Sequence, residues 1–392
     1  MTPPVAWSRE DRQAARGRKT VIVFVLSSLE GGGAERVTSL LLRYLDRSVF
    51  APTLILFQRR GEYLADVPPD VAVVDLGKQT RWDCVRVVTA LRRWLAREQP
   101  DVIVSMLDYA NIVTVLAALP LRHRCRVIIS ERNYPPQYLP RRRWSTIRRL
   151  LMAWTYRRAQ TVIAVSRGIA DVLTVDFGVR PDRIKVSSNP VDIRTIQALR
   201  EVPVSHAFFD HAERRLVLLA VGRLTRQKNL ALLIRALAMV RQTLPATLIV
   251  LGQGELRNEL EALARQLGVA DAVEFVGFQR NPFAWMRRAD VVVSSSDWEG
   301  WCNVIAEAMA CGTPVIATNC PTGPAELIEH GRSGLLVPVG DANALSGAIL
   351  ELAKHPSLRE QFRQEAWRRI ERFDVAKMVA GYAEIFRGAP TT

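Results

Sequence analysis

The sequence has few cysteines and histidines and no long apolar run. Its five cysteines stand at positions 84, 125, 302, 311 and 320. They form no CxxC pair and have no histidine at metal-ligand spacing, which excludes a recognisable zinc or disulfide framework and favours a reducing compartment. Residues 1–20 contain prolines and charges instead of an apolar signal segment. The longest apolar stretch, residues 112–121, is too short to span a bilayer, so we expect a cytoplasmic protein without a transmembrane helix.

Acidic residues are also scarce relative to basic ones. The chain has 54 Lys and Arg against 39 Asp and Glu, a net charge of +15 over 392 residues. Such an excess calls for an acidic partner: nucleic acid, an anionic membrane surface or a phosphorylated small molecule. Basic residues crowd the first half, above all residues 140–160, and the less basic second half argues against a uniform nucleic-acid coat.

Apolar strand-length runs alternate with helical patterns along most of the chain. This rhythm is typical of an open, doubly wound α/β sheet with buried parallel strands. The predicted strands lie at 20–26, 53–57, 72–76, 101–106, 126–131 and 161–166, and again at 215–224, 246–254, 273–278, 289–296 and 314–318. Strand patterning stops between the two series.

The interruption predicts two Rossmann-like domains, as the chain length also does. Two such domains facing each other leave a cleft at the carboxyl ends of their strands, where ligands bind in open α/β sheets. The predicted segments are a basic flexible start at 1–19, a first Rossmann-like domain at 20–195, a linker at 196–214, a second Rossmann-like domain at 215–374, and a closing helix and tail at 375–392.

Glycines follow two of the predicted strands. Gly31, Gly32 and Gly33 lie between a buried strand and a helix, where backbone N–H groups approach an anion at the amino end of the helix. The stretch matches neither GxGxxG nor a P-loop, and a plain tight turn is an equal alternative. Gly252 and Gly254 form another strand exit, either nucleotide-facing or structural.

Two cations follow the first strand of the second series. Arg223 ends this strand and Lys228 stands just before a helix on the same rim. Together they could grip a diphosphate as negative charge develops on it, because Arg offers a planar fork and Lys a compact charge. The alternative is a solvated loop, the usual place of surface Arg and Lys.

Two carboxylates stand eight positions apart around a predicted helix start. We expect Asn303 to cap a helix from Val304 to about Cys311, with Gly312 as its left-handed stop. Glu299 then lies on the preceding loop, and Glu307 lies one turn inside the helix. The spacing fits two ends of an elongated ligand better than a glycosidase pair, whose carboxylates must flank one bond.

These segments resemble the retaining GT-B glycosyltransferases of family 4, the large "group 1" family. The resemblance covers nearly the whole chain, and Glu299 and Glu307 match its E-x7-E motif. The segments that carry it are "VGRLTRQKN", "GQGEL", "EGWCNVIAEAMACGTPVIAT" and "PTGPAELIEHGRSGLLVPVGD", with "EGGGAER" and "NPVD" at 189–192 fitting the amino-terminal loop and hinge region.

The resemblance implies that the first domain, 20–195, binds the acceptor and that the second domain, 215–374, binds the nucleotide sugar. It also implies a role for each matching residue. Arg223 and Lys228 neutralise the donor diphosphate, Glu299 contacts hydroxyls of the transferred sugar, and Glu307 holds the nucleotide ribose. The other implied donor-site residues are Gly31, Gly32 and Gly33 over the phosphates and sugar, Gly277 and Phe278 at the base, and Gly222, Gly252, Gly254, Asn303 and Val304. The implied donor is a UDP- or GDP-sugar, and no metal or other cofactor is expected.

One position departs from the family pattern. Many relatives have a histidine after the strand that corresponds to "VIISERNYP", where this chain has Arg132 and Asn133. A base is therefore not available there, which favours a front-face mechanism in which a leaving phosphate oxygen takes the acceptor proton. Arg132 binds the acceptor phosphate or makes a structural salt bridge.

Residues 141–158 combine arginines with apolar residues at helical spacing. Basic amphipathic helices bind anionic membrane surfaces, although a solvated basic face is an equal alternative. In the acceptor domain this region suggests a glycan or polyprenyl-diphosphate-linked acceptor at the inner face of the cell membrane. The rivals are a soluble acceptor, a nucleotide-cofactor oxidoreductase lacking the dinucleotide fingerprint, and a nucleic-acid binder lacking any reading motif.

Overall fold

The computed structural model describes residues 19–30, 32–80, 83–121, 123–138, 143–210 and 215–388. The chain divides into two compact units. The first comprises the residues up to Pro190 together with those from Ala376 onward, and the second runs from Val191 to Val375.

The first unit contains a seven-stranded sheet in the order β3-β2-β1-β4-β5-β6-β7, and its strand pairings are parallel. The strands are β1 Thr20–Leu26, β2 Phe50–Leu56, β3 Ala72–Asp75, β4 Val102–Met106, β5 Arg126–Glu131, β6 Thr161–Ala164 and β7 Ile184–Val186. The order reverses between β1 and β4, which makes their carboxyl ends the switch point of the sheet.

Helices connect these strands, as parallel pairing requires. They are α1 Gly33–Tyr44, α2 Cys84–Glu98, α3 Asp108–Ala118, α4 Pro135–Tyr138, α5 Arg143–Tyr156 and α6 Arg167–Val175, and the final helix of the chain, α16 Val375–Arg387, returns to this unit.

The second unit repeats the pattern with six parallel strands in the order β10-β9-β8-β11-β12-β13. The strands are β8 Leu216–Val221, β9 Ala246–Leu251, β10 Val273–Gly277, β11 Val291–Ser294, β12 Val315–Thr318 and β13 Leu335–Val337. Its switch point lies between β8 and β11.

The helices of the second unit are α7 Ile193–Arg200, α8 Ala207–Asp210, α9 Leu230–Val240, α10 Arg257–Gln266, α11 Pro282–Arg288, α12 Asn303–Cys311, α13 Pro324–Leu327, α14 Ala342–Lys354 and α15 Pro356–Ile370. Aliphatic side chains of β8, β9, α9 and α14 share one apolar core, including Leu218, Leu248, Leu233 and Ile349. Strands covered on both faces explain why their sequences are continuous apolar runs.

Three sequence predictions need correction. Residues 196–200 are not linker, because they belong to α7, which packs on α11 and α12. Strands β7 and β13 were not predicted, since each has only three residues at a sheet edge. The segment 375–392 was predicted as a separate closing element, but from Ala376 it belongs to the first unit, where Phe386 makes an edge contact with Phe24 at a centroid distance of 5.8 Å.

Candidate active site

The predicted donor residues of the second unit follow the two strands at its switch point. Arg223 comes two residues after β8, and Lys228 ends the short 3-10 turn Arg226–Lys228. Glu299 lies in the loop after β11. Because β8 and β11 are neighbours with parallel directions, the loops after them meet at one edge of the sheet. The strand order thus brings together residues that are 71 positions apart.

Lys228 and Glu299 form a largely buried ion pair. Lys228 Nζ lies 2.5 Å from Glu299 Oε1, and their side chains are 19% and 6% exposed. Ser296 Oγ also donates to this carboxylate oxygen over 2.7 Å. Burial works against the charge of Lys228, but the Glu299 carboxylate opposes this effect, and the pKa of Lys228 is raised above its usual value. Lys228 therefore carries a positive charge at neutral pH.

Arg223 is exposed and lies close enough to Lys228 for the two charges to repel. A bound anion would relieve this repulsion. Gly222 precedes this pair at φ +153°, and a Cβ there would lie 3.2 Å from Lys228 Cε. The absent side chain at Gly222 therefore leaves room for the aliphatic part of Lys228 across the strand end.

Neighbouring loops also hold the main chain of the Glu299 loop. Thr322 Oγ1 donates to the main-chain oxygen of Glu299, and Gln227 Nε2 donates to the oxygen of Trp298 over 2.9 Å. The carboxylate is thus fixed at the strand ends, where it can accept hydrogen bonds from hydroxyl groups.

Helix α12 begins one residue earlier than predicted. Asn303 is its first residue, and Cys302 takes the N-cap position with φ −99° and ψ 88°, so Asn303 is not the cap. The predicted left-handed end at Gly312 is confirmed, with φ +73°. Val304 lies in the first turn and Glu307 is buried in the second. Because thiols are weak acceptors, the amino end of α12 remains suited to an anion.

The glycines after β9 have a structural reason. A Cβ on Gly252 would lie 1.9 Å from the oxygen of Gly222, and one on Gly254 would lie 2.3 Å from the oxygen of Leu224. The two loops are also joined by the bond from Leu224 N to Gln253 O, at 2.9 Å. Gly252 and Gly254 therefore allow the loops after β8 and β9 to touch.

The remaining predicted donor residues are at other strand ends. Gly277 ends β10 with φ +90°, and Phe278 after it is exposed. In the first unit, Gly32 takes the N-cap position of α1 and Gly33 begins this helix. Gly31 lies outside the described residues.

Arg132 is buried, and its predicted partners were an acceptor phosphate or a carboxylate. Its guanidinium instead donates to Asn189 Oδ1 and, over 2.9 Å, to the hydroxyl of Tyr382. Both of these acceptors are neutral, so the described contacts of Arg132 are hydrogen bonds. Its binding to an acceptor phosphate stays a prediction. Asn133 is half-buried beside it, and its main-chain N–H is bound by Glu131 over 3.0 Å.

Glu131 was not predicted from the sequence as a site residue. It is fully buried at the end of β5, where Oε1 accepts the main-chain N–H groups of Arg132 and Asn133 and Oε2 accepts the Tyr156 hydroxyl over 2.6 Å. Burial and the nearby Asp108 carboxylate raise the pKa of Glu131 to about 7. Its signal was available as an acidic residue that closes the apolar run "RVIIS".

Helix α5 exposes a stripe of apolar side chains. The α5 stripe consists of Ile147, Leu150, Leu151 and Trp154, which are between 36% and 66% exposed. Their spacing of three, four and seven residues puts them on one face of the helix. The Arg158 guanidinium lies over the Trp154 ring at 3.8 Å. Residues 141 and 142 of the predicted basic region lie outside the described residues.

Two arginines of α5 are paired within their own unit. Arg148 contacts the buried carboxylate of Asp108, and Arg149 lies 3.4 Å from Asp176. Their charges are therefore partly balanced, and the exposed apolar stripe is the more distinctive feature of this helix.

The described ranges contain neither a membrane-spanning helix nor a cluster of metal ligands. None of the helices described is both long and apolar enough to cross a bilayer. Within the same residues, no group of three or more His, Cys, Asp or Glu side chains is placed to hold a metal ion.

Both units match models of known families. The model described as "Glycosyltransferase Family 4" matches residues 31–195, and the model described as "Glycosyl transferases group 1" matches residues 203–369. Between them they include the predicted acceptor-side residues Arg132 and Asn133 and the predicted donor-side residues from Arg223 to Glu307.

Relatives of similar length are also glycosyltransferases. The chain is 28% identical over 361 residues to the N-acetylgalactosamine-N,N'-diacetylbacillosaminyl-diphospho-undecaprenol 4-alpha-N-acetylgalactosaminyltransferase of Campylobacter jejuni, covering 90% of this chain and 95% of that protein. It is 33% identical over 210 residues to the lipopolysaccharide core biosynthesis glycosyltransferase LpsE of Rhizobium meliloti, covering 53% of this chain and 58% of that protein.

The fold is shared with a solved structure as well. The crystal structure of Anabaena Alr3699/HepE in complex with UDP-glucose has a TM-score of 0.79 and 23% identity, covering 95% of this chain and 100% of that chain. Since the fold is GT-B and each unit matches a family model in the expected order, the chain belongs to the GT-B glycosyltransferases of the family 4 type.

Proposed function

We propose that the protein is a retaining glycosyltransferase that moves a hexose from a UDP- or GDP-sugar to a lipid-linked or polysaccharide acceptor at the cytoplasmic membrane surface, without a metal ion. The names of the related proteins described above support this proposal. One acts on an undecaprenol-diphosphate-linked glycan, another serves lipopolysaccharide core synthesis, and a structural neighbour binds UDP-glucose.

The observation that carries the donor assignment is the Lys228–Glu299 pair at the switch point of β8 and β11. Lys228 is charged there and has Arg223 as a neighbour, so an entering diphosphate meets two cations. Glu299 accepts hydrogen bonds from the hydroxyls of the transferred sugar, and Glu307 accepts those of the ribose. The amino end of α12 adds N–H groups toward the phosphates.

The same groups support a reaction with retention and without a metal. The bond from the anomeric carbon to the diphosphate breaks while the acceptor hydroxyl attacks from the same face. The acceptor proton passes to the leaving phosphate oxygen, so the products are the glycoside and the protonated nucleoside diphosphate. Lys228 and Arg223 stabilise the charge on the leaving group, which is the work that a divalent cation does in other transferases.

The α5 stripe favours a membrane-linked acceptor over a soluble one. Ile147, Leu150 and Trp154 expose apolar surface beside arginines, and apolar residues of this kind insert below anionic headgroups. The net charge of +15 adds a long-range attraction to such a surface. A soluble acceptor would give no reason for this exposed stripe.

The experiment is a donor screen with the purified protein and a membrane extract as the source of acceptors. Radiolabelled UDP- and GDP-sugars are supplied with and without EDTA, and labelled lipid is counted after extraction. We expect one donor to label the lipid fraction, no loss of labelling in EDTA, and an unchanged anomeric configuration in the product by NMR. Labelling that requires a divalent cation, or an inverted product, would refute the corresponding part of the proposal.

A further inference from the structure

The turn that carries Lys228 is joined to the loop that carries Glu299 by a set of hydrogen bonds. Asp297 N donates to Gln227 O and Ser295 Oγ donates to Lys228 O, each over 2.9 Å. The first of these bonds joins two main-chain groups and does not depend on a side chain. Gln227 Nε2 also donates to the main-chain oxygen of Trp298 over 2.9 Å. A further bond joins two side chains directly, next to the Lys228–Glu299 pair.

That bond joins Asn229 to Asp297. Asn229 Nδ2 donates to Asp297 Oδ1 over 2.7 Å, a short bond to a carboxylate. Asn229 directly follows Lys228, and Asp297 lies two residues before Glu299. The bond therefore fastens the two segments immediately beside the Lys228–Glu299 pair.

Asn229 combines three properties that few residues offer together. Its backbone is left-handed, with φ +41° and ψ +49°, a conformation that Gly, Asn and Asp adopt most readily. Its Oδ1 accepts the N–H of Leu232 over 3.3 Å and so caps α9. Its Nδ2 holds Asp297. Gly would supply only the first property, and Asp the first two.

We propose that Asn229 and Asp297 are positioning residues that set the separation of the Lys228 ammonium and the Glu299 carboxylate for the sugar-diphosphate donor. The inference rests on the proposed donor site. Without the bond, the turn 226–229 keeps its main-chain contacts but can shift relative to the loop 295–299. Small shifts of this kind lower the catalytic rate constant strongly while they change the free energy of unfolding only slightly.

Exchange of the two side chains tests the proposal. Asn229→Asp keeps the left-handed turn and the cap of α9 but sets two carboxylates against each other. Asp297→Asn keeps a neutral hydrogen bond. The double variant Asn229→Asp/Asp297→Asn restores one amide and one carboxylate with their positions exchanged.

We expect Asn229→Asp to lower kcat for donor turnover roughly 10- to 100-fold with UDP affinity within about threefold of wild type. Asp297→Asn should stay within about threefold of wild-type kcat, and the double variant should recover to a similar level because the two changes are coupled. Asn229→Gly, which lacks the amide, should be impaired like Asn229→Asp.

A cap elsewhere in the same unit supplies the control. Asp341 caps α14 by accepting the N–H of Ala344 over 2.9 Å, so Asp341→Ala loses a helix cap without touching the Lys228 turn. It should lower thermal stability with kcat unchanged.

Equal loss in the single and double exchange variants, or a loss of kcat that follows thermal stability across all variants, would overturn the positioning role. An unaltered kcat in Asn229→Asp would do so too. A wild-type protein with neither UDP binding nor donor turnover would instead refute the proposed function, so the two failures are distinguishable.

Discussion

Lys228 Nζ and Glu299 Oε1 are 2.5 Å apart at the switch point of the second sheet. Each charge therefore has a partner before any donor is bound. A buried pair of this kind adds little to stability, because burial removes water from both charges, but the loss of one member is costly. The pair accordingly holds a charged Lys228 in a largely buried position at the strand ends, where we propose that the donor diphosphate binds.

Substitution of one member of this pair separates catalysis from folding. We expect Glu299→Gln to lower kcat by roughly 100-fold or more, since it removes the carboxylate that we propose binds the sugar hydroxyls. It should also destabilise the protein by about 3 kcal/mol, because Lys228 remains charged and buried. Kinetics with the donor identified in the screen and urea unfolding give the two values.

The double variant Lys228→Gln/Glu299→Gln is the control for the second effect. It should regain most of the lost stability and none of the activity, because no buried charge is left unpaired. Glu329→Gln, a half-exposed carboxylate of the same unit, reports the loss of a charge outside the site. Turnover by Glu299→Gln at the wild-type rate would show that Glu299 has no role in the reaction.

Glu131 predicts an unusual pH dependence of stability. Burial and Asp108 raise its pKa from the ordinary value of 4.5 to about 7 in the folded chain. Between these two values the folded chain holds a proton that the unfolded chain has released. The free energy of unfolding therefore falls as pH rises from 4.5 to 7, by roughly 3 kcal/mol, and this contribution is constant above pH 7.

Glu131→Gln should remove that contribution. We measure the free energy of unfolding in urea at pH 5 and pH 7.5. The wild-type value should fall relative to that of Glu131→Gln as pH rises. Glu98→Gln, a surface change in the same unit, should show the same pH dependence as wild type. Parallel curves for wild type and Glu131→Gln would show that Glu131 titrates alike in both states.

The α5 stripe predicts a hydrophobic contribution to membrane binding. Leu150 is 66% exposed, and Leu150→Ser should weaken binding to vesicles containing anionic phospholipid by about tenfold, since a leucine side chain that leaves water contributes 1.5–3 kcal/mol. Vesicle co-sedimentation measures this affinity. UDP binding should stay unchanged, because none of the predicted donor residues lies on α5.

Val175 offers a matched control for that change. It is 81% exposed on α6 and outside the α5 stripe, so Val175→Ser removes exposed apolar surface without an expected effect on vesicle binding. Equal vesicle affinity of Leu150→Ser and wild type would show that another surface meets the membrane.

Gly252 predicts a large effect of one methyl group. Gly252→Ala places a Cβ 1.9 Å from the oxygen of Gly222 at a φ of +141°, so the loops after β8 and β9 must separate. We expect a loss of roughly 3–4 kcal/mol with impaired UDP binding. Gly268→Ala, also at positive φ but with no atom within 4 Å, should cost only about 1–2 kcal/mol and leave UDP binding intact.

Thermal unfolding and UDP titration of Gly252→Ala and Gly268→Ala measure these differences in stability and UDP affinity. Similar values for both would mean that backbone conformation, and not the contact with Gly222, accounts for Gly252.

Several elements could be predicted because their signal is local. The bounds of β1 are those of the apolar run "TVIVFVL", since a strand buried on both faces needs a continuous apolar sequence. The left-handed end of α12 follows from Gly312 for a similar reason. The roles of Arg223, Lys228, Glu299 and Glu307 stay predictions, because no contact of these side chains identifies a ligand.

Other features depend on contacts between distant parts of the chain. The environment of Glu131 is set by Asp108 and Tyr156, each more than twenty residues away along the chain, so the sequence shows only a carboxylate at a strand end. The neutral partners of Arg132 include Tyr382, 250 positions later. No periodicity or motif reports such pairings, which arise only when the sheet has formed.

The last helix has a consequence for how the chain is made. Arg126 of β5 donates to the main-chain oxygens of Ile385 and Phe386, and Tyr382 bonds to Arg132, so the first unit takes its final pieces from residues after 375. A nascent polypeptide leaves the ribosome from its amino end at about 5–20 residues per second. The core of the first unit is therefore complete only after the whole second unit has been translated.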